Sequence, residues 1–113
     1  MEVRAEATNL GISPQKLRLV IDQVRGLAAE QAITVLEFMP KKGAKLATKV
    51  LKSAIANAEN NFELERANLF ITRIYANEGP RLKRFKAGAR GRYKPRVKRT
   101  SHLIVVLGER EEE

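Results

Sequence analysis

With 113 residues, 43% of them hydrophobic and 5% aromatic, the chain can build one modest, mainly aliphatic core but not two. It has no cysteine, which excludes disulfides, thiolate metal sites and cysteine nucleophiles, and its longest purely apolar run, Leu103 to Leu107, is far too short to span a membrane. Its 22 Lys and Arg against 13 Asp and Glu give a net charge of +9, so a polyanionic partner is expected.

The first ten residues, MEVRAEATNL, have neither the basic cap nor the apolar stretch of a signal peptide, so a soluble protein of a reducing compartment is expected. Val3, Ala5 and Ala7 alternate with polar residues over 2–9, the period of a half-buried strand. Ser13-Pro14 reads as an N-cap followed by proline at the first helical position. Leu17, Val20, Ile21 and Val24 then mark an amphipathic helix, with Gly26 as its stop. A second helix is predicted over 28–39 from Ala32, Val35, Leu36 and Met39, ended by Pro40. A third, over 44–60, carries Ala44, Ala47, Leu51, Ala54, Ile55 and Ala58 on one side, small enough for close packing, and Lys45, Lys49 and Lys52 on the other. The Asn57, Asn60 and Asn61 cluster suits its termination. Residues 69–76 and 100–107 read as strands, and Glu109 to Glu113 as a charged tail. The expected class is α+β, in a single domain covering 1–113.

Between those two strands the charge is concentrated. Arg81, Lys83, Arg84, Lys86, Arg90, Arg92, Lys94, Arg96, Lys98 and Arg99 are ten cations with no acidic residue among them. The rest of the chain holds 12 basic and 13 acidic residues, so a nearly neutral body carries a cationic segment. Arg90 to Lys98 alternate cation and non-cation, and Pro95 lacks the N–H that a central strand needs. The pattern predicts a β-hairpin over about 78–100, with its turn in Ala87 to Gly91 and a bulge or kink where Lys83 and Arg84 break the alternation. Two arms of about nine residues would reach about 30 Å. A two-stranded ribbon is marginal in water and ten like charges weaken it further, so ordering by RNA is expected. If about six of the cations neutralise phosphates, affinity should fall as roughly the fourth to fifth power of salt.

The remaining features have plainer readings. Phe85 and Tyr93 could stack on bases or face each other across the hairpin. Lys45, Lys49 and Lys52 suit a solvated helix face, and Asp22 between Arg18 and Arg25 suits local ion pairs. His102, the only histidine, has no second ligand for a metal and no nucleophile beside it, so a structural hydrogen bond is expected. Gly88 and Gly91 lack the context of a phosphate-binding loop. No catalytic machinery, cofactor site or metal site is visible. A helix-turn-helix DNA binder is disfavoured because the would-be recognition helix, 28–39, carries Glu30 and Glu37 and no cation. A cationic hairpin on anionic lipid is the other rival.

Five segments, SPQKLRLVIDQVRG (13–26), KKGAKLATKVLKSAIANAENN (41–61), EGP (78–80), ARGR (89–92) and KRTSHLIVVL (98–107), together resemble the large-subunit ribosomal protein family numbered twenty-two, in its short bacterial form. The resemblance runs from about Val3 to Gly108. It implies three helices packed on a three-stranded antiparallel sheet with a long protruding basic β-hairpin. It further implies a non-enzymatic component of the cytoplasmic ribosome, bound to large-subunit ribosomal RNA and neighbouring large-subunit proteins, monomeric within the subunit and not on a membrane. The hairpin of the family contacts several RNA domains, and its tip lines the exit tunnel beside the nascent polypeptide. By position that tip is Gly88, Ala89, Arg90, Gly91 and Arg92, with Lys83 and Arg84 on the adjacent arm, a region where changes in the family are associated with macrolide resistance. The chain departs from the family's usual pattern at Gly88, commonly a basic residue, and at Ala87, often proline.

Overall fold

The apolar run Leu103 to Leu107 becomes the middle of the molecule. In the computed structural model, which describes residues 2–87 and 93–109 and, for 82–97, the backbone pairing alone, it forms most of a strand over Ser101–Glu109 in which every one of those five residues is buried. Naming elements in chain order, β1 is Glu2–Leu10, α1 Pro14–Ile21, α2 Ala29–Glu37, α3 Lys42–Phe62, β2 Leu69–Glu78, β3 Leu82–Ala87, β4 Tyr93–Lys98 and β5 Ser101–Glu109. A single 3-10 turn, Arg66–Asn68, leads into β2. The strands form a three-stranded antiparallel sheet in the order β1-β5-β2 and a separate two-stranded sheet of β3 and β4. Leu103, Val105 and Leu107 point into the apolar cluster, whereas Ile104 and Val106, on the other parity of the strand, are buried outside it, so both parities of β5 are apolar. The α+β class and the three helices follow the expectation.

Leu103, Val105 and Leu107 belong to one apolar cluster with Leu17, Ile21, Leu36, Leu51, Ile55 and Ile71. The alanine side of α3 behaves as its residue sizes dictate: Ala44, Ala47, Ala54 and Ala58 are fully buried, so the helix axis comes close to the sheet. Ser13 caps α1 as expected, its hydroxyl accepting from the Lys16 N–H, with Pro14 opening the helix. The helical hydrogen bonding stops at Ile21, before Gly26; residues 22–26 form turns, and Gly26 takes the left-handed φ of 81° that ends them. At the other end, α3 starts at Lys42 and runs to Phe62, two residues longer at each end than the apolar period, because the added residues, Gly43 apart, are exposed and leave no mark in the period. It closes on Glu63 in the left-handed conformation, φ 53°.

Two irregularities went unseen in the sequence. β1 shifts register between Ala7 and Leu10, with Asn9 at a positive φ of 54°, a conformation asparagine tolerates better than most residues. The Asn9 N–H released by that bulge donates to His102 Nδ1 at 3.1 Å, so the lone histidine has the structural hydrogen bond expected of it. β2 shifts between Ile71 and Arg73.

Arg18 and Arg25 only half follow their expected ion pairing. Arg25 does reach Asp22, at 2.6 Å, but it also donates to the Ile74 carbonyl at 2.8 Å. Arg18 ignores Asp22 and donates through Nε and a terminal nitrogen to the Ala76 carbonyl, at 3.2 and 2.9 Å. β2 is an edge strand, and alternate carbonyls along an edge point away from the sheet with no ladder partner. Two arginines on the α1 side fill that role for Ile74 and Ala76. Pattern reading favours the near carboxylate in sequence and cannot see an edge brought alongside by folding.

The dimensions are those of an elongated molecule. A compact chain of this length has a radius of gyration of about 13 Å; here it is 17.2 Å, with principal extents of 69 × 26 × 17 Å.

Candidate nucleic-acid interface

The root of the two-stranded ribbon is fastened by short polar contacts. The Gly79 N–H donates to the Thr100 carbonyl at 2.9 Å, and the Thr100 hydroxyl donates to the Pro80 carbonyl at 2.6 Å. The next residue, Ser101, is fully buried and donates its hydroxyl to the Ile12 carbonyl at 2.6 Å, tying the start of β5 to the loop before α1. Position 79 has no room for a side chain, since a Cβ there would lie 2.6 Å from the Thr100 hydroxyl oxygen. The sequence Glu78-Gly79-Pro80 thus serves as a tight crossing point, with proline unable to extend the β2 ladder.

Just outside this crossing, Arg81 Nε donates to Glu78 Oε1 at 2.7 Å. That hydrogen bond, with the Arg81 charge and weaker help from Arg99 and Arg18, holds the exposed Glu78 carboxyl below its usual range. Of the ten cations expected to meet RNA, Arg81 is therefore one whose charge is already partnered.

β3 and β4 pair antiparallel in an unbroken register: Leu82 with Lys98, Lys83 with Val97, Arg84 with Arg96, Phe85 with Pro95, Lys86 with Lys94 and Ala87 with Tyr93. No bulge separates Lys83 from Arg84. The break in charge alternation has a simpler cause, for Lys83 sits on the other parity of a regular ladder. Positions 84, 86, 94, 96 and 98 share one parity, which brings cations from both strands to one set of register positions. Phe85 and Tyr93 are diagonal neighbours and not a direct cross-strand pair, so the facing arrangement does not hold. Pro95 lies in a two-stranded sheet, where every strand is an edge, as its missing N–H requires.

The expected tip, Gly88, Ala89, Arg90, Gly91 and Arg92, lies outside the described residues. Lys83, Arg84 and Lys86 fall on β3, Lys94, Arg96 and Lys98 on β4, and Arg81 and Arg99 flank the ribbon. Sequence reading missed three body residues beside its root: Lys16, Lys41 and Lys42 line one cleft together with Lys98 and Arg99. Their separation along the chain gave no signal of this meeting. Lys52, by contrast, pairs with Glu37 of α2 at 3.4 Å, which suits the solvated-face reading of its stripe and leaves α2 poorly suited to a DNA groove. Among the described residues, no group of three or more His, Cys, Asp or Glu could hold a metal, and no helix is long and apolar enough to cross a membrane.

Fold and ribbon together define a small, basic α+β protein with its positive charge gathered on a two-stranded extension of the chain. The profile of the family described as Ribosomal protein L22p/L17e matches residues 5–108. The chain is 49% identical over 106 residues to the large ribosomal subunit protein uL22 of Lactobacillus delbrueckii subsp. bulgaricus, covering 94% of this chain and 91% of the relative. Identity to the Lactobacillus helveticus protein of the same name is 49% over 107 residues, 95% of this chain and 92% of the relative, and to that of Pediococcus pentosaceus 47% over 109 residues, 96% and 92%. The chain belongs to this ribosomal protein family.

Proposed function

We propose that the ribbon of β3 and β4 is the RNA-binding arm of this protein and that its cations, Lys83, Arg84, Lys86, Arg90, Arg92, Lys94, Arg96, Lys98 and Arg99, meet the phosphate backbone of large-subunit ribosomal RNA, with Arg81 contributing less because Glu78 holds it. Membership of the family makes the chain a structural, non-enzymatic constituent of the large subunit of the cytoplasmic ribosome, associated with ribosomal RNA and with other subunit proteins. One observation supports the finer reading most: the register sets Arg84 directly opposite Arg96 and Lys86 directly opposite Lys94. Like charges directly opposite one another weaken a ladder. No acidic residue between Arg81 and Arg99 relieves them, so a neighbouring polyanion is the natural counter-charge.

Arginine suits this task through bidentate phosphate contacts and stacking, and a thin ribbon enters folded RNA where a globular face cannot. Recognition is of backbone and shape rather than base sequence. Residues 1–113 act as one domain from which the hairpin of about 78–100 extends, a reading supported by the 69 Å long axis. The tip, Gly88 to Arg92, lines the exit tunnel beside the nascent polypeptide, and the protein is a monomer within the subunit. Membership of the family supports both readings.

The test compares charge reversal at Arg92, Lys94 and Arg96 with reversal at Lys45 and Lys49, reading affinity for transcribed large-subunit ribosomal RNA. The ribbon variant is expected to lose ~100-fold or more at 0.15 M salt and the helix variant only a few-fold. Equal losses refute the assignment. For the tip, a photo-crosslinking residue at Arg90 should join a stalled nascent chain in assembled subunits; joining to RNA alone places the tip away from the tunnel.

A further inference from the structure

The cations of the body are not evenly handled. Among the described residues, Arg4, Arg25, Lys52, Arg66, Arg73 and Arg81 each have a carboxylate oxygen within 4.0 Å. None of these six lines the cleft of about 620 Å³ that opens between the loop before α1, α1 itself, the start of α3 and the foot of β4. Lys16, Lys41, Lys42, Lys98 and Arg99 do line it, with no acidic residue among the lining groups, and none of the five has a salt bridge among the described residues.

Their arrangement compounds the repulsion. Lys42 Nζ donates to the Gly11 carbonyl at 2.8 Å, a neutral partner that leaves its charge uncompensated. The point where a Gly11 Cβ would sit has Lys42 Nζ at 3.7 Å and Lys98 Nζ at 4.0 Å, so an ammonium of the body and one of the ribbon share a small space. The start of α3 adds to this. Its first turn contains no acidic residue and has no side-chain cap, yet Lys41, Lys42 and Lys45 stand there. A helix N-terminus carries the positive end of the macrodipole, and cations are the wrong sign for it. Gly43 is held against Ile12 and Val20, whose methyl groups would lie 3.2 Å from a Cβ, so the uncapped turn is fixed at the cleft wall by packing. Three unfavourable choices at one place, each of which a bound anion would offset, point to a ligand rather than to fold stability.

We propose that this cleft is a second phosphate-backbone site for ribosomal RNA, built by the body at the root of the ribbon. Lys16, Lys41 and Lys42 supply the body's charges, Lys98 and Arg99 those of the ribbon, and the first N–H groups of α3 add donors. The proposal rests on the reading of the ribbon as an RNA-binding arm and adds that RNA is gripped on both sides of the junction, which fixes the direction in which the ribbon leaves the body.

The test uses the full chain and transcribed large-subunit ribosomal RNA, with affinity measured from 0.05 to 0.2 M salt. The variant Lys16→Gln/Lys41→Gln/Lys42→Gln is expected to bind ~10-fold more weakly or worse at 0.15 M, with a salt exponent smaller by about 2, and to melt as the parent does. The variant with Arg at the same three positions should keep the parent's affinity. The Lys94→Gln/Arg96→Gln variant is the control for the ribbon. Parent-like affinity and exponent in the triple Gln variant, with binding lost in the ribbon control, overturn the cleft and leave the arm intact. Parent-like binding in both overturns both readings. A loss that Arg fails to restore, or one accompanied by a lower melting temperature, assigns the lysines to the fold and overturns the site.

Discussion

Body and ribbon treat charge in opposite ways. On the body, several cations find carboxylates, as Arg66 does with Glu59 at 2.8 Å and Arg73 with Glu2 at 2.9 Å, or cap edge carbonyls, as Arg18 does, the lysines of the cleft apart. On the ribbon, the backbone register sets cation against cation. The boundary is sharp: Glu78 is the last acidic residue before the ribbon, and it takes Arg81. Surface pairs are each worth little, so the body does not depend on any one of them. The lesson lies in the arrangement. Where charge serves the fold it is neutralised within the chain, and where it is left opposed the proposed neutralising partner is ribosomal RNA.

This contrast can be broken from the side of the body. The largest effect is expected at the junction, where Gly79→Val forces a Cβ to within 2.6 Å of the Thr100 hydroxyl unless the backbone moves. A loss of ~1–3 kcal/mol in chemical denaturation is expected; parent-like stability would show that the crossing is loose. Arg18→Met comes next. It removes both donors to the Ala76 carbonyl and should cost about 1 kcal/mol while leaving RNA affinity unchanged. A fall in RNA affinity without a fall in stability would move Arg18 from the fold to the interface.

The smallest effect concerns pH. The Glu78 carboxyl is held below its ordinary value, so its pair with Arg81 contributes fully above the unfolded carboxylate range and is lost as pH falls through the folded value. Because the group is exposed, the contribution is slight. Acid titration followed by the Glu78 side-chain resonance should show a midpoint below that of a model carboxylate, returning toward it in Arg81→Gln. An unchanged midpoint in that variant would dissolve the boundary pair.

Much of this molecule was legible in the sequence, for reasons that differ by element. Ser13-Pro14 and the Leu17, Val20, Ile21 spacing announced α1 because capping and amphipathic period are local signals. Thr100 to Leu107 announced a strand because its run of Leu, Ile and Val favours extended backbone, though its central place in the sheet was not legible. The cationic ribbon was visible as a hairpin from its alternating charges, but its register was not: Lys83 looked like a defect until pairing with Val97 placed it on a regular ladder. The bulges at Asn9 and Thr72 and the turns of Arg18 and Arg25 toward β2 depend on partners brought together by folding, and single-chain periodicity carries no trace of them. The same holds for Lys16, Lys41 and Lys42, which read as separate surface charges until the fold set them around the foot of β4.

The claim that the ribbon opposes itself and is completed by RNA is tested most directly by the double variant Lys94→Glu/Arg96→Glu, which turns both like-charge cross-strand pairs into opposite-charge pairs. Amide hydrogen exchange over Leu82–Ala87 in the protein alone should slow, since each converted pair is worth roughly 0.2–1 kcal/mol to the ladder. Affinity for large-subunit ribosomal RNA should at the same time fall by ~100-fold or more at 0.15 M salt. Faster exchange, or retained affinity, would contradict the account.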